Sequence, residues 1–280
     1  MDNHARRNSL LLLLLCALLW SLGGVLIKSV DWHPLAIAGG RSLVAAIVIF
    51  AYLRKPNFTW SRVQILGALA YAATVCLFVL ATKMTTAANA IMLQFTAPVW
   101  VAIFGAWFLK ERTSVIDWIA IALALSGMTL FFIDELSADN FTGNLVAILS
   151  GVAFAWMTLL LRKQKDASPL ESILLGNIAT AIIGIPFLLT SDFSLSNSLP
   201  ILALGVLQLA LPYIIFSYAI KHVTALEAIL IPVVEPILNP VWVMLALGET
   251  PGKWAFIGGL IVISSIIFKS IFSFKRTAKF

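Results

Sequence analysis

A carboxylate set between prolines in an otherwise apolar stretch is the first feature of this chain that could do chemistry. Glu235 lies in Ile231-Pro232-Val233-Val234-Glu235-Pro236-Ile237-Leu238-Asn239-Pro240, where prolines recur every four residues and so share one helix face. Each proline lacks an N–H, which leaves the carbonyls four residues earlier without their helical donor. In a bilayer, freed acceptors persist only beside water or a protein partner, so this helix should bend and border a hydrated space. Glu235 could take up and release a proton there, bind a cationic group of a substrate, or hydrogen-bond a neighbouring helix. The other charge deep in an apolar stretch is Arg41. It could neutralise a substrate carboxylate or clamp backbone carbonyls of a neighbour. A charge at mid-helix costs roughly 2.5–3.5 kcal/mol on insertion scales, so both residues must face protein or a wet cavity.

Weaker candidates follow the same logic. Asn89, Leu93, Thr96 and Trp100 fall on one helical stripe, and Glu227, Ile231, Glu235, Leu238 and Trp242 on another. Asn89 and Glu227, each in the first turn of its helix, could be gates or simply solvated helix starts. Trp20 and Trp156 lie nearer mid-membrane than an interfacial belt requires, so they could wall a substrate cavity or pack between helices. Tyr71, Gln94, Asn177, Gln208, Tyr213 and Tyr218 are also polar within apolar stretches, a pattern that interhelical hydrogen bonds usually explain. Of these, Tyr71 and Tyr213 join the candidates for substrate binding or gating: Trp20, Arg41, Tyr71, Asn89, Thr96, Trp100, Trp156, Tyr213, Glu227 and Glu235. Glu235 is also the candidate for energy coupling.

Nothing points to an enzyme. There is no G-x-S-x-G elbow or H-E-x-x-H pair, and the three histidines (His4, His33, His222) sit at the edges of apolar runs. Cys16 and Cys76 lie inside such runs and suit packing better than a disulfide or metal site. No cofactor or metal is expected, and no phosphate-binding G-x-x-x-x-G-K-[ST] loop suggests an ATP-driven pump.

The elements that must position these residues follow from composition. Hydrophobic residues make up 61% of the chain and charged ones 11%, with mean hydropathy +0.99, so lipid must be the solvent for most of the surface. A crossing helix needs about 20 apolar residues. Ten such segments are expected, at about 9–29, 33–53, 63–82, 87–109, 114–133, 142–161, 170–190, 199–220, 225–247 and 252–272. The basic residues test that count. With ten spans, fifteen of the nineteen fall on one side, from Arg6 and Arg7 through Arg162 to Lys279. Lys28, Lys83 and Lys253 share the other side with the acidic loop Asp134-Glu135…Asp139. The basic side is cytoplasmic, so both termini should face the cytoplasm of a bacterial inner membrane. The net charge of +6 is then a topology signal rather than a nucleic-acid footprint. The Arg6-Arg7 start resembles a signal peptide, but Trp20–Gly24 offers no small-x-small site, so the first segment reads as an uncleaved helix.

The chain also repeats itself. Ala81-x-Lys83-x-x-Thr86-Ala87-x-x-Ala90-Ile91 matches Ala219-x-Lys221-x-x-Thr224-Ala225-x-x-Ala228-Ile229 at a shift of 138 residues, with Pro98 on Pro236 and Glu111 on Glu249. Trp20…Lys28…Pro34 meets Trp156…Lys163…Pro169 with a one-residue slip. Units of five helices make the second copy inverted, an architecture that allows alternating access. The reading is therefore an all-α integral membrane protein of ten transmembrane helices, two inverted five-helix repeats (1–134 and 135–280) around a central cavity. Gly39-Gly40, Gly105, Gly205 and Gly258-Gly259 read as close helix contacts.

Three stretches carry a family resemblance: Leu19-Trp20…Lys28…His33-Pro34…Arg41, Ala97-Pro98-Val99-Trp100…Leu109-Lys110-Glu111-Arg112, and Glu235-Pro236…Ala246-Leu247-Gly248-Glu249. Together they resemble the EamA-type drug/metabolite transporters across essentially the whole chain. The resemblance implies ten spans around a central cavity and movement, commonly outward, of amino acids, nucleotide-like compounds or other small metabolites. The expected function is secondary transport of a small metabolite, with amino acids or related compounds favoured, lipid as surroundings and protons as candidate coupling ion. A facilitative channel-like carrier or a lipid scramblase is the alternative.

Overall fold

Capping side chains and prolines mark where several helices begin. In the computed structural model, which describes residues 3–131, 133, 140–238 and 253–277, all regular structure is helical. Helices α1 (Asn3–Trp20) and α2 (Gly23–Ser29) are separated by a break at 21–22. They are followed by α3 (Pro34–Leu53), α4 (Arg62–Met84), α5 (Ala87–Gln94), α6 (Ala97–Phe108), α7 (Val115–Phe131), α8 (Phe141–Lys163) and α9 (Pro169–Leu188). Next come α10 (Leu195–Ala203), a π-helical turn (Leu204–Ala210), α11 (Leu211–Ala219), α12 (Ala225–Leu230), a 3₁₀ turn (Ile231–Val234) and α13 (Lys253–Thr277). The Ser61 and Thr86 hydroxyls accept the Gln64 and Asn89 N–H groups at 3.2 and 3.0 Å, satisfying donors that a helix start leaves free. Thr224 and Glu227 cap each other reciprocally at the start of α12.

Among the described residues, seven helical stretches are long and apolar enough to cross a membrane: His4–Ser29, Pro34–Leu53, Arg62–Met84, Asn89–Phe108, Phe141–Lys163, Pro169–Leu188 and Leu195–Ala219. Val115–Phe131 and Phe256–Lys269 are shorter apolar helices. The ninth expected span is described only as far as residue 238. Asn239, Pro240, Trp242, Gly248-Glu249 and the acidic loop Asp134-Glu135…Asp139 lie outside the described residues. Leu11, Val25, Leu43, Ile47, Leu69, Ile182 and Leu260 are among the large apolar side chains exposed on the bundle surface, as lipid contact requires.

Packing brings distant parts of the chain together. Helix α3 crosses α9, α4 packs on α8 and α9, α1 on α11, and α7 on α13. The first crossing is tightest at Gly39 and Gly184, where a Cβ on Gly39 would lie 2.6 Å from the Gly184 Cα. The second close crossing places Gly258 against Gly127 and Phe131. Gly105, by contrast, faces only an ordinary contact at 3.5 Å from Leu159. Small residues allow such approaches where lipid offers no hydrophobic drive for helix association. Gly39→Val is therefore expected to destabilise the bundle by about 2 kcal/mol or more through overpacking. Thermal unfolding of the purified protein would show a lower midpoint, and an unchanged midpoint would contradict the contact.

Candidate functional site

Four helices are interrupted at mid-bundle, and each delivers a polar side chain to one buried cavity. Trp20 ends α1 at the 21–22 break. Gln94 ends α5 where α5 and α6 part at 95–96. Gln208 lies in the π-helical turn, and Glu235 follows the 3₁₀ turn. The cavity is lined by these residues with Arg41, Thr74, Val75, Phe78, Phe154, Leu209 and Tyr213. The cavity volume is about 40 Å³, enough for a few water molecules.

The interruptions have local causes. Pro232 has no N–H for the Ala228 carbonyl, and the chain tightens so that the Glu235 N–H bonds Pro232 O three residues back. Between α5 and α6 the Thr96 N–H and hydroxyl both turn to Leu93 O, at 3.2 and 2.8 Å, before Pro98 opens the first turn of α6. At the end of the π-helical turn the Leu211 N–H reaches Val206 O, five residues back.

Arg41 is 1% exposed. Its Nη1 donates to Gln208 Oε1 at 2.9 Å and its Nη2 to Val75 O at 3.4 Å, while Nε has no acceptor among the described residues. Trp20 Nε1 is a second buried donor without an acceptor among them. Among the described residues the Glu235 carboxylate forms no ion pair and accepts no hydrogen bond, although it is buried. The cavity thus offers one cation with donor capacity to spare and one carboxyl group, between aromatic rings. Trp20 packs on Tyr213 (5.3 Å between ring centres), Phe216 and Phe154. Tyr71 stands behind, its ring 4.8 Å from that of Tyr213 and its hydroxyl donating to Asn177 Oδ1 at 3.1 Å.

Of the ten sequence candidates, Trp20, Arg41, Tyr213 and Glu235 line the cavity, and Tyr71 supports it. The other five lie elsewhere. Trp100 stacks on Phe104, which stacks on Trp156, which also meets Phe108. The Thr96 hydroxyl closes its own helix turn and accepts from Trp100 Nε1 at 3.4 Å. Asn89 Nδ2 donates to Thr85 Oγ1 and to Asn144 Oδ1, at 3.2 and 3.0 Å. Glu227 caps α12 and pairs with Arg6. Gln94, Gln208 and Thr74 enter the lining although sequence reasoning did not choose them. Their only signal was an amide or hydroxyl in an apolar span.

A second polar cluster joins segments far apart in sequence. Arg162 Nε donates to Glu111 Oε1 at 2.9 Å, and its Nη1 donates to Ile220 O and Lys221 O at 2.9 and 2.8 Å. Glu111 Oε2 accepts the Ala225 N–H at 2.9 Å. Arg6–Glu227 and Lys269–Asp117 are further ion pairs, linking α1 to α12 and α13 to α7.

A helical bundle with several helices long and apolar enough to cross a membrane, and polar side chains gathered around an interior cavity, defines a multi-pass membrane protein. Comparison with known proteins gives the family. Residues 7–133 and 141–271 match the EamA-like transporter family, and the chain belongs to it. It is 25% identical over 280 residues to an uncharacterized transporter of Archaeoglobus fulgidus, covering 91% of this chain and 95% of that one. It is 29% identical over 245 residues to the uncharacterized transporter YwfM of Bacillus subtilis, covering 82% and 81%. With the pseudopaline exporter CntI of Pseudomonas aeruginosa it shares 24% identity over 275 residues, covering 93% and 95%. A crystal structure of 16% sequence identity superposes with a TM-score of 0.79 over 96% of this chain and 99% of that one, which establishes the shared fold.

Proposed function

We propose that this protein is a secondary carrier that exports a small zwitterionic metabolite, such as an amino acid or a related compound, by alternating access. The observation that carries the reading is the cavity: a buried guanidinium with an unused donor and a carboxyl group without a protein partner among the described residues, set where four helices are interrupted. Arg41 suits the carboxylate of such a solute and Glu235 its ammonium or a proton. Interrupted helices are suited to this because their freed backbone groups need water or solute at membrane depth. The outward direction draws support from the relative named as an exporter.

Alternating access rests on ten spans in two inverted halves, 1–134 and 135–280, and several contacts favour that arrangement. The two stretches matched by the family lie on either side of the boundary. Lys83 Nζ donates to Val30 O at 2.6 Å, and its counterpart Lys221 donates to Ala167 O at 3.0 Å. Lys28 donates to Thr85 O in the first half, as Arg162 does to Ile220 O and Lys221 O in the second. The repeat-matched caps Thr86–Asn89 and Thr224–Glu227 open spans that both break further along. On the orientation given by the basic residues, with both termini in the cytoplasm of a bacterial inner membrane, the three ion pairs lie at the cytoplasmic end and hold it shut. Lipid and a small solute are the partners, with protons as coupling ion and no nucleic acid.

Counterflow in proteoliposomes tests the reading. Labelled solute, chosen from compounds enriched in the medium of overexpressing cells, should enter saturably and with stereochemical preference. Flux that grows linearly with concentration and ignores competitors would favour the channel or scramblase alternative.

A further inference from the structure

The side-chain acceptor on Arg41 is an uncharged amide brought there by an irregular turn. The π-helical turn Leu204–Ala210 sits inside the span Leu195–Ala219 and presses on α3 beside Arg41. Gly205 makes this possible, since a Cβ there would lie 2.8 Å from Arg41 O and closer still to Val44. Gln208, three residues on, is held from two sides. Its Oε1 accepts from Arg41 Nη1 at 2.9 Å, and its Nε2 lies against α2, where a Cβ on Gly23 would come within 2.9 Å. Single π-helical turns cost hydrogen-bond geometry and are found mostly where they serve a site.

A neutral acceptor satisfies one guanidinium donor without cancelling the charge. The Arg41 side chain then keeps a full positive charge beside a cavity, with Nε unused. A carboxylate is a stronger partner, because its hydrogen bonds to a guanidinium are charge-assisted and can form in parallel pairs. A resident glutamate in place of Gln208 would satisfy Arg41 permanently and leave nothing for a solute to do.

We infer that Gln208 determines specificity: it holds the Arg41 guanidinium with a displaceable neutral acceptor, and a carboxylate-bearing solute takes its place. This rests on the reading of the cavity as the substrate site. Gln208 acts through Arg41 and is in that sense a positioning residue. The substrate class it selects is defined by the anionic group, while Glu235 and the aromatic wall meet the remainder of the molecule.

The experiment loads proteoliposomes containing the full chain with an equimolar mixture of L-amino acids and the amines formed by removing their carboxyl groups. Released compounds are quantified by mass spectrometry. Wild-type protein should favour the carboxylates. Gln208→Glu, nearly isosteric, should lower the ratio of carboxylate to amine release by about tenfold or more. Gln208→Met, which removes the acceptor while keeping the volume, should retain the carboxylate preference with a lower KM, because the competing amide is gone. If Gln208→Glu keeps the wild-type preference, or Gln208→Met raises KM, the inference is wrong and the cavity reading stands. If wild-type protein prefers the amines or moves neither class, the cavity reading itself fails and the role of Gln208 with it.

Discussion

Glu235→Gln is expected to abolish proton-driven accumulation of substrate while leaving exchange of substrate for substrate intact. The glutamine keeps the shape and the hydrogen-bonding capacity of the side chain but cannot carry a proton between the two sides. Glu235 is suited to that task because its carboxyl group lines the cavity and, among the described residues, is committed to no ion pair or hydrogen bond. With one proton exchanged per solute, a pH difference of about two units supports about 100-fold accumulation, since each unit is worth roughly 1.4 kcal/mol. In the variant that ratio should collapse to one. Steady-state solute ratios across proteoliposomes with an imposed pH difference measure it directly. A variant that still accumulates substrate to the wild-type level would remove Glu235 from coupling and leave diffusion down the cell's own gradient as the driving force.

The second large effect is expected at Arg162. This side chain holds the segment after α6, the end of α8 and the end of α11 together, and Glu111 extends the link to the start of α12. Arg162→Ala leaves two carbonyls and one carboxylate oxygen without the donor they share. Breaking a buried pair costs about 3–5 kcal/mol. The Glu111 side chain is 25% exposed and recovers part of its hydration, so about 2–3 kcal/mol is the fairer figure. That amount would shift a two-state gate by about 30- to 150-fold toward opening at the cytoplasmic end. A cysteine placed at Thr74, in a Cys16→Ala, Cys76→Ala background, reports this as faster labelling in inside-out vesicles. Faster unfolding without a change in labelling would make the cluster a brace and not a gate.

What could be read from the sequence divides along a physical line. Charges and aromatic rings at membrane depth are costly or bulky enough to need a reason, and Arg41, Glu235, Trp20 and Tyr213 all line the same cavity. Amides and hydroxyls are cheap enough to serve as helix glue anywhere. Gln94 and Gln208 were therefore indistinguishable in sequence from Asn177, whose amide oxygen accepts from Tyr71. Trp156 shows the limit of a loose repeat alignment. Residues two apart sit about 200° apart around a helix, and here Phe154 faces the cavity while Trp156 stacks on Phe104. The hydroxyls of Ser61, Thr86 and Thr224 cap helix starts, a local signal that counting apolar residues does not use. Of the interruptions, only the proline face around Glu235 announced itself. Leu204-Gly205-Val206-Leu207-Gln208-Leu209-Ala210 reads as a continuous, mostly apolar helix, and its wider turn packs against α3.

That wider turn has a consequence for how this site can change in descent. A π-helical turn accommodates one residue more than the α-helix it interrupts. Loss of a single residue between 204 and 210 would restore ordinary winding and carry the amide away from Arg41 without altering any side chain that meets the solute. Selectivity at this position is thus written partly in chain length. Close relatives could diverge in cargo through one-codon deletions that a comparison of lining residues alone would overlook.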